Sequence, residues 1–327
     1  MTTLASAHTD YGFVLETVQG IPFRMLCESL KDTLIDATLC FSESGVSLSS
    51  LDNTKSVIIH LSIPASRIER YVCHGNYALG VNTQLLFRMV KNITASDSIK
   101  LSYTELAPTK LKMEINNIDR HNRLSYNLAL LSLRPTECQL TKTDLNEYAV
   151  IVQMPSQTFQ KSCKEMQNAG AHAVELLAGP DRLVLRCVHA MVDLELEIYE
   201  KQGSVSVASN HNFASNSTTT TAATAATSST SSINSSRSAA LQGPAHMDQA
   251  MPPFRRGTMN VPLVSYGQYP VKQLHAFAKC CHSSPIIDVY LKQGYPLVLQ
   301  YNAANLGSIR YYIACILDGE TGQRNAS

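Results

Sequence analysis

The sequence predicts an α+β fold in which one domain architecture is duplicated along the chain. Four segments repeat a helix followed by two short strands, the strands alternate apolar and polar residues, and a polar connector separates the repeats into two pairs. Each domain would place two helices on one face of an antiparallel sheet. The length of 327 residues suits two domains of ordinary size.

The first two repeats precede the connector, and in each a turn joins the two strands. The first repeat comprises a helix and two strands, Phe23–Asp36, Ala37–Phe41 and Val46–Leu51. The second comprises Thr83–Asn92, Ser98–Tyr103 and Leu111–Ile115. Period-two alternation in the strands predicts one buried and one exposed face.

The other two repeats follow the connector. The third comprises Ser156–Asn168, Ala173–Leu177 and Leu183–Val188. The fourth comprises Val271–Cys280, Ile286–Lys292 and Leu297–Tyr301. Pro155-Ser156 is a typical helix start and Ala169-Gly170 a typical helix end, which supports the third helix in particular.

Composition sets the predicted domain boundaries. We predict an N-terminal domain over 1–133, an inter-domain connector over 134–147 and a C-terminal domain over 148–327. An insert at about 203–257 loses apolar periodicity, and Ser215–Ala240 is almost entirely Ser, Thr, Ala and Asn. Such a segment buries too little apolar surface to offset its ordering entropy, so we expect a disordered loop.

Charge and targeting features narrow the function classes. The formal net charge is +1, so any nucleic-acid surface must come from cations concentrated on one face. The start lacks the basic and apolar regions of a secretory signal, and no apolar run is long enough to span a membrane. The nine scattered cysteines, without a CxxC pair, favour a reducing compartment.

Each predicted helix carries two cations three or seven residues apart, a spacing that brings them to one helical face. Apolar pairs such as Leu26 with Leu30, Leu85 with Met89, and Leu274 with Phe277 would face the sheet. The candidate DNA-binding residues are Arg24, Lys31, Arg88, Lys91, Lys161, Lys164, Lys272 and Lys279. Without aromatic platforms or a base-reading motif, these faces predict mobile, sequence-independent contact with phosphates.

An enzymatic function and a metal-binding site have weaker support in the sequence than phosphate contact by the helices. Cys27, Cys163 or Cys280 as a nucleophile would need a base and an oxyanion site, and no pattern supplies either. His275, Cys280, Cys281 and His282 do not match a common zinc spacing. The sequence has no Walker-type phosphate loop, so we expect no nucleotide hydrolysis. Together with the cysteine and spacing arguments, this leads us to expect no catalytic residues, no metal and no cofactor.

Several ordered motifs resemble the family of proliferating cell nuclear antigen (PCNA), the sliding clamps of eukaryotes, archaea and some viruses. They are Phe13–Gly20, Leu30–Asp32, Ser44–Asp52, Tyr71–Cys73, Leu79–Asn82, Val152–Ser156, Pro296–Tyr301 and Ser308–Ala314. The resemblance covers nearly the whole chain apart from the first ten residues and the insert. These motifs occur in the same order and with similar spacing in the family, which makes the resemblance specific.

This resemblance implies a ring of three subunits, with helices lining the hole and antiparallel sheets forming the outer wall. The ring would encircle duplex DNA as a polymerase processivity factor in the nucleus, recruit replication and repair proteins, and need a separate clamp loader. The eight cations fall on basic inner positions of the family, although Met25 and Cys27 depart from that lining. Subunits would join through a strand at Val192–Tyr199 and another at about Arg123–Leu131.

The resemblance also implies a pocket for short helical motifs of client proteins. Its residues would be Leu51, Cys138, Leu140, Pro296, Tyr312 and Ala314. From the residues alone, ordinary core or edge packing is the favoured interpretation of Leu51, Pro296 and Tyr312, and the resemblance reverses that preference. A subunit of a hetero-trimeric checkpoint clamp and a monomeric viral processivity factor remain alternative functions.

Overall fold

The computed structural model describes residues 11–52, 54–133, 145–188, 192–200, 206–209, 264–280 and 284–316. Within these ranges the chain forms antiparallel sheets and four α-helices, which confirms the predicted α+β class. None of the described helices is long and apolar enough to cross a membrane.

The helices in the described ranges are α1 (Gly20–Thr33), α2 (Thr83–Val90), α3 (Ser156–Asn168) and α4 (Val271–Cys280). The bounds of α3 and α4 are those predicted, whereas α1 begins and ends earlier. Pro22 is compatible with the first turn of α1 because backbone N–H groups there have no acceptor within the helix. The helix ends at Thr33 because Leu34 is extended (φ −126°, ψ 146°), and Asp36 already belongs to a strand.

The described strands are β1 (Phe13–Thr17), β2 (Asp36–Ser42), β3 (Gly45–Leu51), β4 (Val57–Pro64), β5 (Arg70–Cys73), β6 (Tyr77–Asn82), β7 (Asp97–Tyr103), β8 (Lys110–Asn117), β9 (Asn122–Ala129), β10 (Val150–Pro155), β11 (Ala173–Ala178), β12 (Arg182–Val188), β13 (Asp193–Tyr199), β14 (Ser206–Ser209), β15 (Ser265–Pro270), β16 (Ile286–Leu291), β17 (Leu297–Ala303) and β18 (Gly307–Ile313). The predicted strands are all present.

These strands form three sheets among the described residues. One sheet has the order β5-β1-β7-β8-β9, and another has the order β13-β12-β11-β15. The largest has the order β14-β10-β16-β17-β18-β4-β3-β2-β6 and takes strands from both halves of the sequence. Its halves meet where β18 pairs with β4, from Ser308 opposite Ser62 to Ile313 opposite Val57.

The helices cover one face of the sheets with apolar side chains. Phe277 of α4 is fully buried and contacts the rings of Phe159, Tyr301 and Tyr311, at centroid distances of 5.8, 5.8 and 5.1 Å. The hydroxyl of Ser29 in α1 hydrogen-bonds the hydroxyl of Tyr301 in β17. Residues from both halves of the chain therefore pack into a continuous core.

Helix α2 departs from the predicted apolar face. Leu26, Leu30, Leu274 and Phe277 are buried as expected, but Leu85 is 45% exposed and Met89 is half-buried. The Asn82 side chain accepts a hydrogen bond from the Leu85 N–H (3.0 Å) and caps the helix. The buried face of α2 falls on Thr83, Leu86 and Val90.

Within the predicted insert of about 203–257, the structure describes one short strand. Ser206–Ser209 form β14, which pairs with β10 from Gln153 opposite Ser206 to Val150 opposite Ser209. The half-buried Val207 packs against the core, so this stretch gains both backbone hydrogen bonds and apolar contact. Residues 210–260 and connector residues 134–144 lie outside the described residues. The domain boundaries stay a prediction.

The ring cluster around Phe277 allows a direct test of core packing. Phe277→Ala should lower the free energy of unfolding by about 3–5 kcal/mol, because it removes a fully buried ring and leaves a cavity. Urea denaturation of the full chain measures this loss. Leu85→Ala is the control and should change the free energy of unfolding by less than about 1 kcal/mol. Equal losses in the two variants would contradict the assigned helix faces.

Candidate nucleic-acid interface and partner site

The four helices are held in pairs, which positions the cations they carry. Helix α1 packs with α2 and helix α3 with α4. The Gln160 side chain of α3 donates to the carbonyl of Ala278 in α4 (2.8 Å). The Arg24 guanidinium of α1 donates to the carbonyls of Lys91 and Ile93 after α2 (3.5 and 3.4 Å).

Most of the predicted cations are exposed on these helices. The exposed ones are Arg88, Lys91, Lys161, Lys164, Lys272 and Lys279. Lys161 and Lys164 lie on α3, whose opposite face buries Phe159, Cys163 and Met166. The acidic Glu165 is exposed beside them. The helices α2, α3 and α4 therefore each present cations to solvent on a face away from the core.

Arg24 and Lys31 differ from the other six predicted cations because both are half-buried. Arg24 is held by backbone carbonyls near the C-terminal end of α2, where a positive charge is favourable. Lys31 forms an ion pair with Asp32 and lies 5.0 Å above the Phe87 ring of α2. Both side chains connect α1 to α2, so their charges are already engaged within the chain.

Two of the predicted partner residues, Leu51 and Tyr312, lie on the face of the largest sheet opposite the helices. Leu51 pairs with Ile58, Ile58 with Tyr312, and Tyr312 with Val298. Val298 pairs in turn with Tyr290, and Tyr290 pairs with Ile151. We call these six side chains the apolar row: Leu51, Ile58, Tyr312, Val298, Tyr290 and Ile151.

Two other predicted partner residues lie near the apolar row. Pro296 is exposed just before β17, and its carbonyl accepts a hydrogen bond from the Tyr148 hydroxyl (2.9 Å). Ala314 is exposed immediately after β18. The structure thus brings Leu51 and Tyr312 into one row and leaves Pro296 and Ala314 near strand ends of the same sheet. Cys138 and Leu140 lie outside the described residues.

Sequence reasoning missed several residues of this surface. The alternation in β4 could have identified Ile58 as an outward-facing residue, whereas Val298 and Tyr290 join the row only through strand pairing. Tyr148 contacts the rings of Tyr290 and Tyr295, at centroid distances of 6.0 and 6.5 Å. Burial raises the pKa of Tyr148, so its hydroxyl stays protonated as a donor.

A second line of side chains runs parallel to the apolar row on the same face. We call it the polar row, and its members are Ser49, His60, Arg310, Gln300, Asp288 and Gln153. Ser49 Oγ lies 2.9 Å from His60 Nδ1, and the Arg310 Nε donates to Gln300 Oε1. Asp288 accepts hydrogen bonds from the amides of Gln153 (2.9 Å) and Gln300 (3.5 Å).

Each of the three described sheets has two edge strands. Two of these six, β9 and β13, correspond to the strands predicted to join subunits. Leu124 of β9 is 49% exposed and Tyr199 of β13 is 54% exposed. Glu195 and Glu197 of β13 are paired with arginines of β12. Arg123 of β9 is likewise paired with Glu114 of β8, so these charged side chains of both edge strands have partners within their own sheets.

The residues weighed for catalysis and metal binding do not form a site in the described ranges. Cys27 and Cys163 are buried, and burial raises the pKa of the Cys27 thiol, which disfavours a nucleophilic thiolate. No group of three His, Cys, Asp or Glu side chains there has metal-binding proximity. Cys281, His282 and the side chain of Cys280 lie outside what the structure describes.

Three comparisons connect this architecture to known proteins. Residues 13–136 match the family model of the proliferating cell nuclear antigen, N-terminal domain. The "Probable DNA polymerase sliding clamp 1" of Paramecium bursaria Chlorella virus 1 is 25% identical over 309 residues, covering 93% of this chain and 97% of that protein. The crystal structure of the proliferating cellular nuclear antigen from Entamoeba histolytica has a TM-score of 0.70 at 14% identity, covering 94% of this chain and 100% of that one. The chain is thus similar to PCNA-type sliding clamps, in sequence over residues 13–136 and in fold over most of its length.

Proposed function

We propose that this protein is a DNA sliding clamp, a polymerase processivity factor that encircles duplex DNA and holds replication and repair proteins on it. The observation that carries this proposal is the set of exposed cations on α2, α3 and α4, on the faces of these helices turned away from the core. The match of residues 13–136 to the PCNA N-terminal family model and the similarity to a viral sliding clamp support it.

The arrangement of charge suits a protein that moves along DNA. The net charge is only +1, yet cations are concentrated on helices that are themselves fixed in pairs. Lys and Arg contacts to phosphates are independent of base sequence and weaken with salt, which permits sliding. We assign direct phosphate contact to the six exposed cations, with Arg24 and Lys31 contributing at longer range.

We further propose that three copies close into a ring through the edges β9 and β13. An exposed edge has unpaired backbone N–H and C=O groups, and pairing with a neighbouring copy satisfies them. Both edge strands also present exposed apolar or aromatic side chains that a neighbouring copy could cover, Leu124 on β9 and Tyr199 on β13. A hetero-trimeric checkpoint clamp would use such edges with unlike chains, and a monomeric viral factor would leave them open.

The apolar row is the proposed docking surface for client proteins. An apolar stripe flanked by polar side chains suits a short amphipathic helix that inserts aromatic or aliphatic anchors. Leu51, Pro296, Tyr312 and Ala314 would contact the client, together with Cys138 and Leu140 from the connector. We expect the clamp to act as a tether without catalysing a reaction, to be opened by a clamp loader, and to work in the nucleus or a viral replication compartment.

The DNA-binding proposal predicts a salt-sensitive loss of retention. Lys91→Glu combined with Lys164→Glu should shorten retention on closed circular DNA several-fold and reduce polymerase processivity, because it places carboxylates opposite phosphates. The slope of log affinity against log salt should fall by about 0.9 for each phosphate that the variant no longer neutralises. Arg67→Glu with Arg120→Glu makes the same change in net charge at exposed sites off the four α-helices and should retain binding. Equal behaviour of the two variants would reject the helix assignment.

The ring proposal predicts self-association. Size-exclusion chromatography with light scattering should give a mass near three times 35.8 kDa. Leu124→Asp should shift the chain toward monomer, because it places a charge on the edge strand β9. Ile118→Asp introduces the same charge at a residue that is 70% exposed in a turn and should leave the trimer intact. A wild-type chain that remains monomeric at high concentration would favour the monomeric alternative.

The client site predicts a loss of peptide binding. Tyr312→Ala should weaken binding of a fluorescent peptide with aromatic anchors on one helical turn by about tenfold, as expected for an aromatic interface residue. Fluorescence polarisation measures the affinity. Tyr11→Ala, at a half-buried tyrosine before β1, is the control and should bind normally. Unchanged affinity in Tyr312→Ala would move the client site elsewhere.

A further inference from the structure

We propose that Arg310 recognises an acidic side chain in the client segment that docks on the apolar row. This inference rests on the proposed client-binding function and specifies the chemistry of the partner. It makes Arg310 a specificity-determining residue beside the apolar anchors.

The Arg310 guanidinium is half-buried and has no carboxylate partner among the described residues, which is the first support for the proposal. Arg310 is half-buried on the outward face of β18, between His60 of β4 and Gln300 of β17. Its Nε donates to the neutral amide oxygen of Gln300. Among the described residues, no carboxylate lies within ion-pairing distance of Arg310. A half-buried cation without a counter-charge is an unfavourable arrangement that an incoming carboxylate improves.

Two other half-buried arginines of this chain differ from Arg310 in having carboxylate partners. Arg182 and Arg186 on β12 are also half-buried, and both have carboxylate partners on β13. Arg182 lies 3.0 Å from Glu197, and Arg186 lies 2.7 Å from Glu195. Half-buried arginines in the sheet that carries β13 are therefore neutralised by carboxylates, whereas Arg310 on the proposed docking surface has no carboxylate partner among the described residues.

The neighbours of Arg310 leave its charge unmatched. Asp288, the acidic member of the polar row, already accepts hydrogen bonds from Gln153 and Gln300. Burial, with a further contribution from the Arg310 charge, lowers the pKa of His60, so its imidazole is neutral at pH 7. The β4–β18 end of the polar row is consequently cationic through Arg310 alone, which favours a carboxylate over an ammonium group.

Arg310 also lies at a suitable distance from the anchor site. Arg310 and Tyr312 are two residues apart on β18 and point to the same face. Their Cα atoms are therefore separated by about 6.5–7 Å. A client residue one helical turn from an anchor on Tyr312 spans a similar distance, about 5.4 Å along the helix axis. An acidic residue near the anchor can thus form the bidentate pair that guanidinium geometry favours.

The test uses the full-length chain and matched fluorescent peptides. Each peptide carries the same aromatic anchors on one helical turn, with Glu, Gln or Lys placed in turn at each position flanking the anchors. Wild type should bind the best Glu peptide about five- to tenfold more tightly than its Gln counterpart at low salt. The Lys peptide should bind least well, and the preference should shrink as salt rises.

Arg310→Gln should abolish the Glu-over-Gln preference while the Gln peptide keeps its wild-type affinity. Arg67→Gln removes the same charge from an exposed site and should retain the preference. Equal binding of Glu and Gln peptides at every position, or an undiminished preference in Arg310→Gln, would overturn the Arg310 proposal. Failure of wild type to bind any peptide would instead overturn the client-binding function, so the two outcomes are distinguishable.

Discussion

The pairing of β4 with β18 is the constraint on which the rest of the described structure depends. It joins residues 57–62 to residues 308–313 and merges strands from both ends of the chain into one sheet. The same pairing aligns Ile58 with Tyr312 and His60 with Arg310, so both the apolar row and the polar row exist only because of it. On the opposite face, α1 and α4 pack near this junction, and the Ser29–Tyr301 contact reinforces it.

Local features of the sequence predicted local structure well. Helical periodicity and end signals identified α3 and α4, and period-two alternation identified most strands. The failures have physical causes. Leu85 looks like a core residue by spacing, but tertiary packing buries the adjacent face of α2, with Thr83, Leu86 and Val90, because helical spacing alone does not say which of two neighbouring apolar faces meets the sheet. Ser206–Ser209 look like the start of the insert, but backbone pairing with β10 stabilises a strand there.

The candidate sites could be predicted only in part for the same reason. Charge spacing on single helices identified the cations, but not which of them had partners within the chain. Arg24 and Lys31 have the same residue types as their exposed counterparts, yet they bind to the end of α2 and to Asp32. Similarly, Tyr312 and Leu51 were predicted as partner residues from the sequence. Val298 and Arg310 could be assigned to the same surface only from the register of strands that are distant in sequence.

The proposed pairing of β9 with β13 fixes the relative orientation of neighbouring copies of the chain. In the proposed ring, β9 of one copy pairs with the different strand β13 of the next, so the copies would associate head to tail rather than face to face. A head-to-tail ring has two chemically different sides. Every client that docks on the same row of side chains would then be held in the same orientation relative to the DNA axis. The asymmetry of two strands would thereby give the whole assembly a forward and a backward side.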